Sequence, residues 1–214
     1  PRAGTSGMQR FSTFPWTGDI QRSWSGLQAQ IPALVSASMS GIGYIGSDVG
    51  GFEGAAPDPR LYLRWVQQAV FTPMIRTHAQ GRLLPEPSND CYNDVRDDVR
   101  RFINLHYQYL PYTYTLAWRN ATKGTPLARP VNMYDSNPAT LASVKDEYLW
   151  GRDILVAPVV ENAESRTVRF PEGKWLDLND YTGIYSGTTL YSAPLGKLPY
   201  FGRVGSFIPR FTAT

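Results

Sequence analysis

Two short apolar runs, 42–47 and 72–77, each break off in charged or polar residues, and a stretch of helical periodicity separates them. The first, Ile42-Gly43-Tyr44-Ile45-Gly46-Ser47, stops at Asp48-Val49-Gly50-Gly51-Phe52. The second stops at Arg76-Thr77-His78. Such runs predict buried strands. Between them, residues 61–71 place Leu61, Trp65 and Ala69 beside Val66 and Val70, which predicts a helix. Parallel neighbours need a long crossover connection, so strand, helix, strand at this spacing means βα units in a parallel sheet. Ser23 can cap an earlier helix carrying Leu27, Ile31, Leu34, Val35 and Ser38, in which Pro32 predicts a kink or a later start. The clearest amphipathic helix carries Val95, Val99, Phe102, Ile103, His106, Tyr109 and Leu110, after a breaker-rich loop over 79–93.

The pattern changes near Lys123-Gly124-Thr125-Pro126. Short β-rich runs then alternate with turns, at 154–160, 166–170, 174–177, 188–191, 198–201 and 206–208, and no helical segment intervenes. That spacing predicts a small antiparallel sandwich. The expected division is therefore 1–124, an α/β part, and 125–214, a β-domain.

Phe14-Pro15-Trp16-Thr17-Gly18-Asp19 reads as a loop, because Pro15 and Gly18 disfavour regular structure there. An aromatic wall beside a loop carboxylate suits a sugar site: the ring packs on a pyranose face and the acid reaches a glycosidic oxygen. On the hexapeptide alone, a surface turn with Asp19 capping the next helix is the better reading. The later stations at Asp48 and at Arg76-Thr77-His78 change this. Carboxylates at the C-terminal ends of barrel strands belong to the active-site face.

Net charge is +3, with acids and bases interspersed, so no basic stripe for nucleic acid is present. One cysteine, Cys91, excludes an internal disulfide or a Cys-based metal cluster, and two histidines are too few for a His site. No apolar run has the length of a membrane span. Six Trp and 13 Tyr fit carbohydrate contact, although strands and cores use the same residues.

Arg2-Ala3-Gly4, Gly7-Met8-Gln9-Arg10-Phe11, Trp16-Thr17-Gly18-Asp19, Gly46-Ser47-Asp48-Val49-Gly50-Gly51-Phe52 and Arg76-Thr77-His78 resemble glycoside hydrolase family 31. So do Leu110-Pro111-Tyr112, Pro126-Leu127-Ala128-Arg129-Pro130, Leu155-Val156-Ala157-Pro158-Val159 and Gly205-Ser206-Phe207-Ile208-Pro209, in order and over nearly the whole chain. The resemblance implies the last third of a (β/α)8 TIM barrel followed by the family's proximal C-terminal β-domain. It implies a retaining α-glycoside hydrolase acting on α-linked glucosyl-type oligosaccharides, with an α-glucosyltransferase of the same family as the alternative. By the same pattern Asp19 is the general acid/base, Arg2 a donor to the sugar and Trp16 an aromatic of the pocket wall. Asp48, Phe52 and His78 line or support that pocket, while Asp48 pairing with Arg76 and Phe52 acting as packing stay open. No metal or organic cofactor is implied, and the partner is an oligosaccharide.

The family's attacking Asp lies on an earlier barrel strand, so this chain is expected to be a fragment that meets the N-terminal part of the same polypeptide. Alone it is expected to be inactive. A non-catalytic carbohydrate-binding remnant is the reading from another class. Two departures stand out: Ile20 follows the acid where many members have Asn, and Ser12-Thr13-Phe14-Pro15 is a subgroup variant that leaves hydrolysis against transfer open. The resemblance tilts localisation towards an extracytoplasmic or periplasmic compartment, which the residues themselves leave unknown.

Overall fold

The computed structural model describes residues 2, 4–5, 7–11, 14–81 and 89–212. The expected loop over 79–93 therefore falls partly outside them, as do Ser12 and Thr13. Helix α1 (Trp24–Met39) begins where Ser23, in extended backbone, accepts from Gly26 N at 3.0 Å, which satisfies one orphan N–H of the first turn. The expected later start at Pro32 does not occur: the helix runs through it. Helix α2 (Pro59–Ala69) is capped by Asp58, which accepts from Arg60 N and Leu61 N. The single helix expected through Leu110 is two: α3 (Arg96–Gln108) and α4 (Leu110–Lys123), with Tyr109 between them. Pro111 sits in the first turn of α4, and Gly124 at φ 68 ends it in the left-handed region. Only Tyr112 and Leu116 of α4 are buried, and its Tyr and Thr residues are weak helix formers, so no apolar stripe marks it in the sequence.

The parallel strands are shorter than their apolar runs. Strand β1 (Asp48–Val49) pairs in parallel with β2 (Arg76–Thr77), and Trp16 makes a parallel bridge to Gly46. Three neighbouring chain segments thus run in one direction, each followed by a loop, as barrel strands do.

The β-domain adds β3 (Ala128–Arg129), β4 (Tyr148–Trp150), β5 (Ile154–Val156), β6 (Ser165–Arg169), β7 (Trp175–Asp177), β8 (Ile184–Tyr185), β9 (Thr188–Ser192) and β10 (Tyr200–Arg203). One antiparallel sheet has the order β3-β4-β5-β10-β7-β8, and β6 pairs with β9 in a second. Strands β3, β4 and β8 were not expected, and the expected strand at 206–208 is irregular. Register explains the packing. Tyr148, Val156 and Tyr200 lie side by side, and so do Leu149, Leu155 and Phe201. Successive side chains alternate faces, so Tyr148, Trp150, Ile154, Val156 and Tyr200 join the core with helices α1 to α4. Leu149, Leu155, Trp175 and Phe201 join a second core with Val168 of β6 and Tyr191 of β9, inside the sandwich. Strands β4 and β5, inside the large sheet, are buried on both faces, while β8 at its edge is partly open.

Helix α2 is buried from Leu61 to Ala69, polar residues included. Arg64 donates to Ala163 O (3.0 Å), Ala193 O (2.7 Å) and Lys197 O (3.1 Å), and Gln67 to Leu195 O (2.6 Å). Burial pulls the Arg64 guanidinium down to about 10, with Arg60 adding to the effect and Glu164 opposing it. A second buried charge lies in the β-domain. Glu147, 2% exposed, accepts from Arg166 Nη2 at 2.9 Å and from the Arg169 backbone N at 3.1 Å. Desolvation pushes its carboxyl up to about 7, against the pull of Arg166.

Three outcomes follow from these charges. Arg64→Ala leaves Ala193 O and Lys197 O without their guanidinium donor and Ala163 O with only a long bond from Arg60 at 3.5 Å, and at ~1–3 kcal/mol for each buried group left unpaired it should lower stability by several kcal/mol. Hydrogen exchange over 193–198 should rise with it. Arg166→Ala removes the nearest charged partner of Glu147 and leaves it the Arg169 backbone N and the more distant Arg169 guanidinium at 3.6 Å, so it should cost up to about 3–5 kcal/mol, measured by urea unfolding. The folded pKa of Glu147 lies above its ordinary 4.5, so its protonation favours the fold. That contribution is complete below pH 4.5 and is lost as pH rises through about 7. Stability should therefore fall across that window, and Glu147→Gln should flatten the fall.

Candidate active site

The candidate residues collect where the parallel segments end. Thr17 N donates to Gly46 O at 3.0 Å and Gly46 N to Pro15 O at 3.3 Å, which sets the first segment beside the second. Beyond the strands, main-chain bonds tie the loops together: Phe52 N to Ile20 O, Arg22 N to Glu53 O and Gln80 N to Phe52 O, each 2.8 Å. The approach is so close that Gly51 admits no side chain. Its φ is 86° and an added Cβ would lie 2.5 Å from the Arg22 Cα. Gly18, at φ 93°, turns the chain before Asp19.

Three pairs result. Asp19 Oδ2 accepts from Arg2 Nη1 at 3.0 Å, and the Asp19 side chain is 39% exposed. Asp48, fully buried, accepts from Arg76, whose guanidinium also lies over the Trp16 ring, 5.4 Å from its centroid. Phe52 and His78 stack, with centroids 5.4 Å apart at 33°. The six expected residues thus fall into three contact groups, with Arg76 as the link between Trp16 and Asp48. A guanidinium on an aromatic face is held by the ring quadrupole, and the carboxylate fixes its other side. Asp48 does not contact Arg2 or His78 through any hydrogen bond seen among the described residues.

The sequence reading missed Gln30. From inside α1 its amide accepts from Thr17 Oγ1 at 2.7 Å and donates to Gly26 O at 2.8 Å. A buried glutamine within an otherwise apolar helical stripe was the available signal. Among the described residues no cluster of three or more His, Cys, Asp or Glu is placed to hold a metal. No described helix is long and apolar enough to cross a membrane.

Charged side chains in adjacent short parallel strands that close longer apolar runs, beside helices that carry an antiparallel sandwich, define a segment of an α/β barrel with an accessory β-domain. The chain belongs to glycosyl hydrolase family 31: the family's TIM-barrel domain matches residues 1–116 and its C-terminal domain residues 124–208. It is 36% identical to an α-glucosidase of Saccharolobus solfataricus over 97% of its length, spanning 30% of that protein. It is 35% identical to a sulfoquinovosidase of Escherichia coli, spanning 31% of it. Among solved structures, a family 31 dextranase of Flavobacterium johnsoniae complexed with isomaltotriose superposes with a TM-score of 0.93 at 34% identity, covering all of this chain and 28% of that one. A cycloalternan-forming enzyme of Listeria monocytogenes, with a pentasaccharide substrate, gives 0.92 at 31% identity, covering 99% and 21%.

The burial of the two carboxylates separates support from chemistry. The Arg2–Asp19 pair is solvent-exposed and contributes about 0–1 kcal/mol, so Asp19→Ala should leave the thermal midpoint nearly unchanged. Asp48→Ala removes a buried partner of Arg76 and opens a cavity, and should lower it clearly. Equal midpoints for the two variants would contradict this division.

Proposed function

We propose that the polypeptide containing this chain is a retaining α-glycosidase acting on α-linked glucosyl-type oligosaccharides, with Asp19 as its general acid/base. One observation carries the reading: Asp19 is the carboxylate that is both open to solvent and seated at a parallel strand end, beside Arg2. A retaining mechanism needs a second carboxyl about 5–5.5 Å away to attack the anomeric carbon. Asp48 is engaged by Arg76 and fully buried, so the reading assigns the attacking carboxylate to another part of the barrel, outside these residues. In the first step Asp19 gives its proton to the departing glycosidic oxygen while the nucleophile forms the glycosyl ester. In the second it takes a proton from water as that water displaces the ester. Arg2 offers a planar donor fork to sugar hydroxyls and His78 a single donor, while Trp16 and Phe52 supply aromatic surface.

A transferase reading differs only in the second acceptor, a sugar hydroxyl in place of water. The likeness to the cycloalternan-forming enzyme supports it. Product analysis with and without an added acceptor sugar separates the two.

Asp19→Ala in the complete polypeptide should lose about 10²–10⁴-fold on a disaccharide, whose leaving group needs a proton. A glycosyl fluoride should still react in the first step. Azide, which needs no base, should then release an α-glycosyl azide. Equal loss on both substrates with no azide product would move the acid/base role away from Asp19.

A further inference from the structure

Beneath the strand ends lies a cavity of about 10 Å³, lined by Thr17, Gln30, Gly46, Ser47, Gln68 and Thr72 together with the apolar Leu34 and Ile45. One water needs roughly 10–15 Å³ and two to four polar partners, so its size admits one water and nothing larger. Its wall is mixed: Leu34 and Ile45 supply apolar surface, and hydroxyls and amides reach it from Thr17, Gln30, Ser47, Gln68 and Thr72. Gln68 is 1% exposed, yet its Oε1 accepts no hydrogen bond from any described residue. Leaving such an oxygen unpaired costs about 1–3 kcal/mol.

The remaining wall groups have known partners. Ser47 Oγ accepts from Trp65 Nε1 at 3.1 Å, which leaves its own proton to donate. Thr17 Oγ1 gives its proton to Gln30 Oε1, and Thr72 Oγ1 donates to Ala69 O at 2.7 Å, so both keep lone pairs. Apart from the amide N–H groups of Gln30 and Gln68, the wall offers the Ser47 hydroxyl as donor and several acceptors, with no carboxylate among its residues. A ligand that donates two protons and accepts one fits that set, and a cation would meet no countercharge.

We propose that one structural water is bound here, accepting from Ser47 and donating to Gln68 and to Thr17 or Thr72. The placement gives it a function. Thr17 lies two residues before Asp19, Ser47 immediately before Asp48, and Thr72 four before Arg76, while Gln30 and Gln68 belong to α1 and α2. All three segments that end in candidate site residues, and both crossover helices between them, meet at this one point. The water is a hub that fixes their relative height. It stands whether or not Asp19 is the acid/base, because it rests on burial and hydrogen bonding alone.

A crystal structure of the complete polypeptide at a resolution showing ordered solvent tests it, with the thermal midpoint of Gln68→Met measured alongside. The expected result is one solvent peak within hydrogen-bond distance of Gln68 and Ser47. Gln68→Met should lose that peak and melt at a lower temperature. No peak, together with a variant that melts as high or higher because an orphaned acceptor has gone, overturns the proposal. A peak lost without any change in midpoint overturns the hub. Should the variant fail to fold, magnetic relaxation dispersion of labelled water on the complete natural polypeptide decides: a long-lived internal water supports the site, and none overturns it.

Discussion

The structure hangs on a buried guanidinium that has no carboxylate partner. Arg64 is completely enclosed, and carbonyls and an amide oxygen receive its protons: Ala163, Ala193 and Lys197 from the β-domain and Gln67 from its own helix. Burying an uncompensated charge is costly, and carbonyl dipoles offset that cost only when several converge with good geometry. The turn around 193–197 and the end of the loop before β6 must therefore stay where they are. Gln67 and Arg101 extend the same rule to Leu195 O and Gly196 O. The barrel helices read this turn through its main chain, so its side chains are released from the task of docking.

Some of this was legible in the sequence, and the failures have definite causes. Ser23 announces α1 because capping is a local event, decided within four residues; the Asp58 cap of α2 is equally local but was read only as loop. Period-2 burial was readable at 166–170 and 188–191, where one face meets solvent. It was not readable at 148–150, where Tyr148, Leu149 and Trp150 are apolar in succession because both sides of the strand are covered. Arg60, Arg64, Gln67 and Gln68 look like the solvent face of α2. Composition cannot show that another domain lies on that face, so the most important contact in the molecule was invisible. For the candidate site, order along the chain sufficed to name Asp19, Asp48 and Arg76-Thr77-His78. Which of them meet, and that Arg76 joins Trp16 to Asp48, needed coordinates.

The two carboxylates nearest the strand ends are chemically alike and physically opposite. Asp48 is enclosed and spends its charge on Arg76, which in turn lies on Trp16, so its effect is to hold an aromatic wall still. Asp19 keeps a solvated oxygen and a loose partner, Arg2, on a loop turned by Gly18. A group that must exchange protons with a substrate needs access and freedom to change charge. A group that must orient others needs neither.

The sandwich has a mechanical part in this arrangement. Helix α2 is the crossover between β1, which starts with Asp48, and β2, which starts with Arg76. Any tilt of the helix would shift one strand end against the other and break the Asp48–Arg76 contact. A free crossover helix is held on one side by its sheet and is open on the other. Here Tyr148, packed against the end of α2 with its hydroxyl donating to Phe71 O at 2.8 Å, and Arg64, locked to the 193–197 turn, close that open side. Through α2 the β-domain thus bears on the candidate site: it restrains the helix that links two of the site's charged residues.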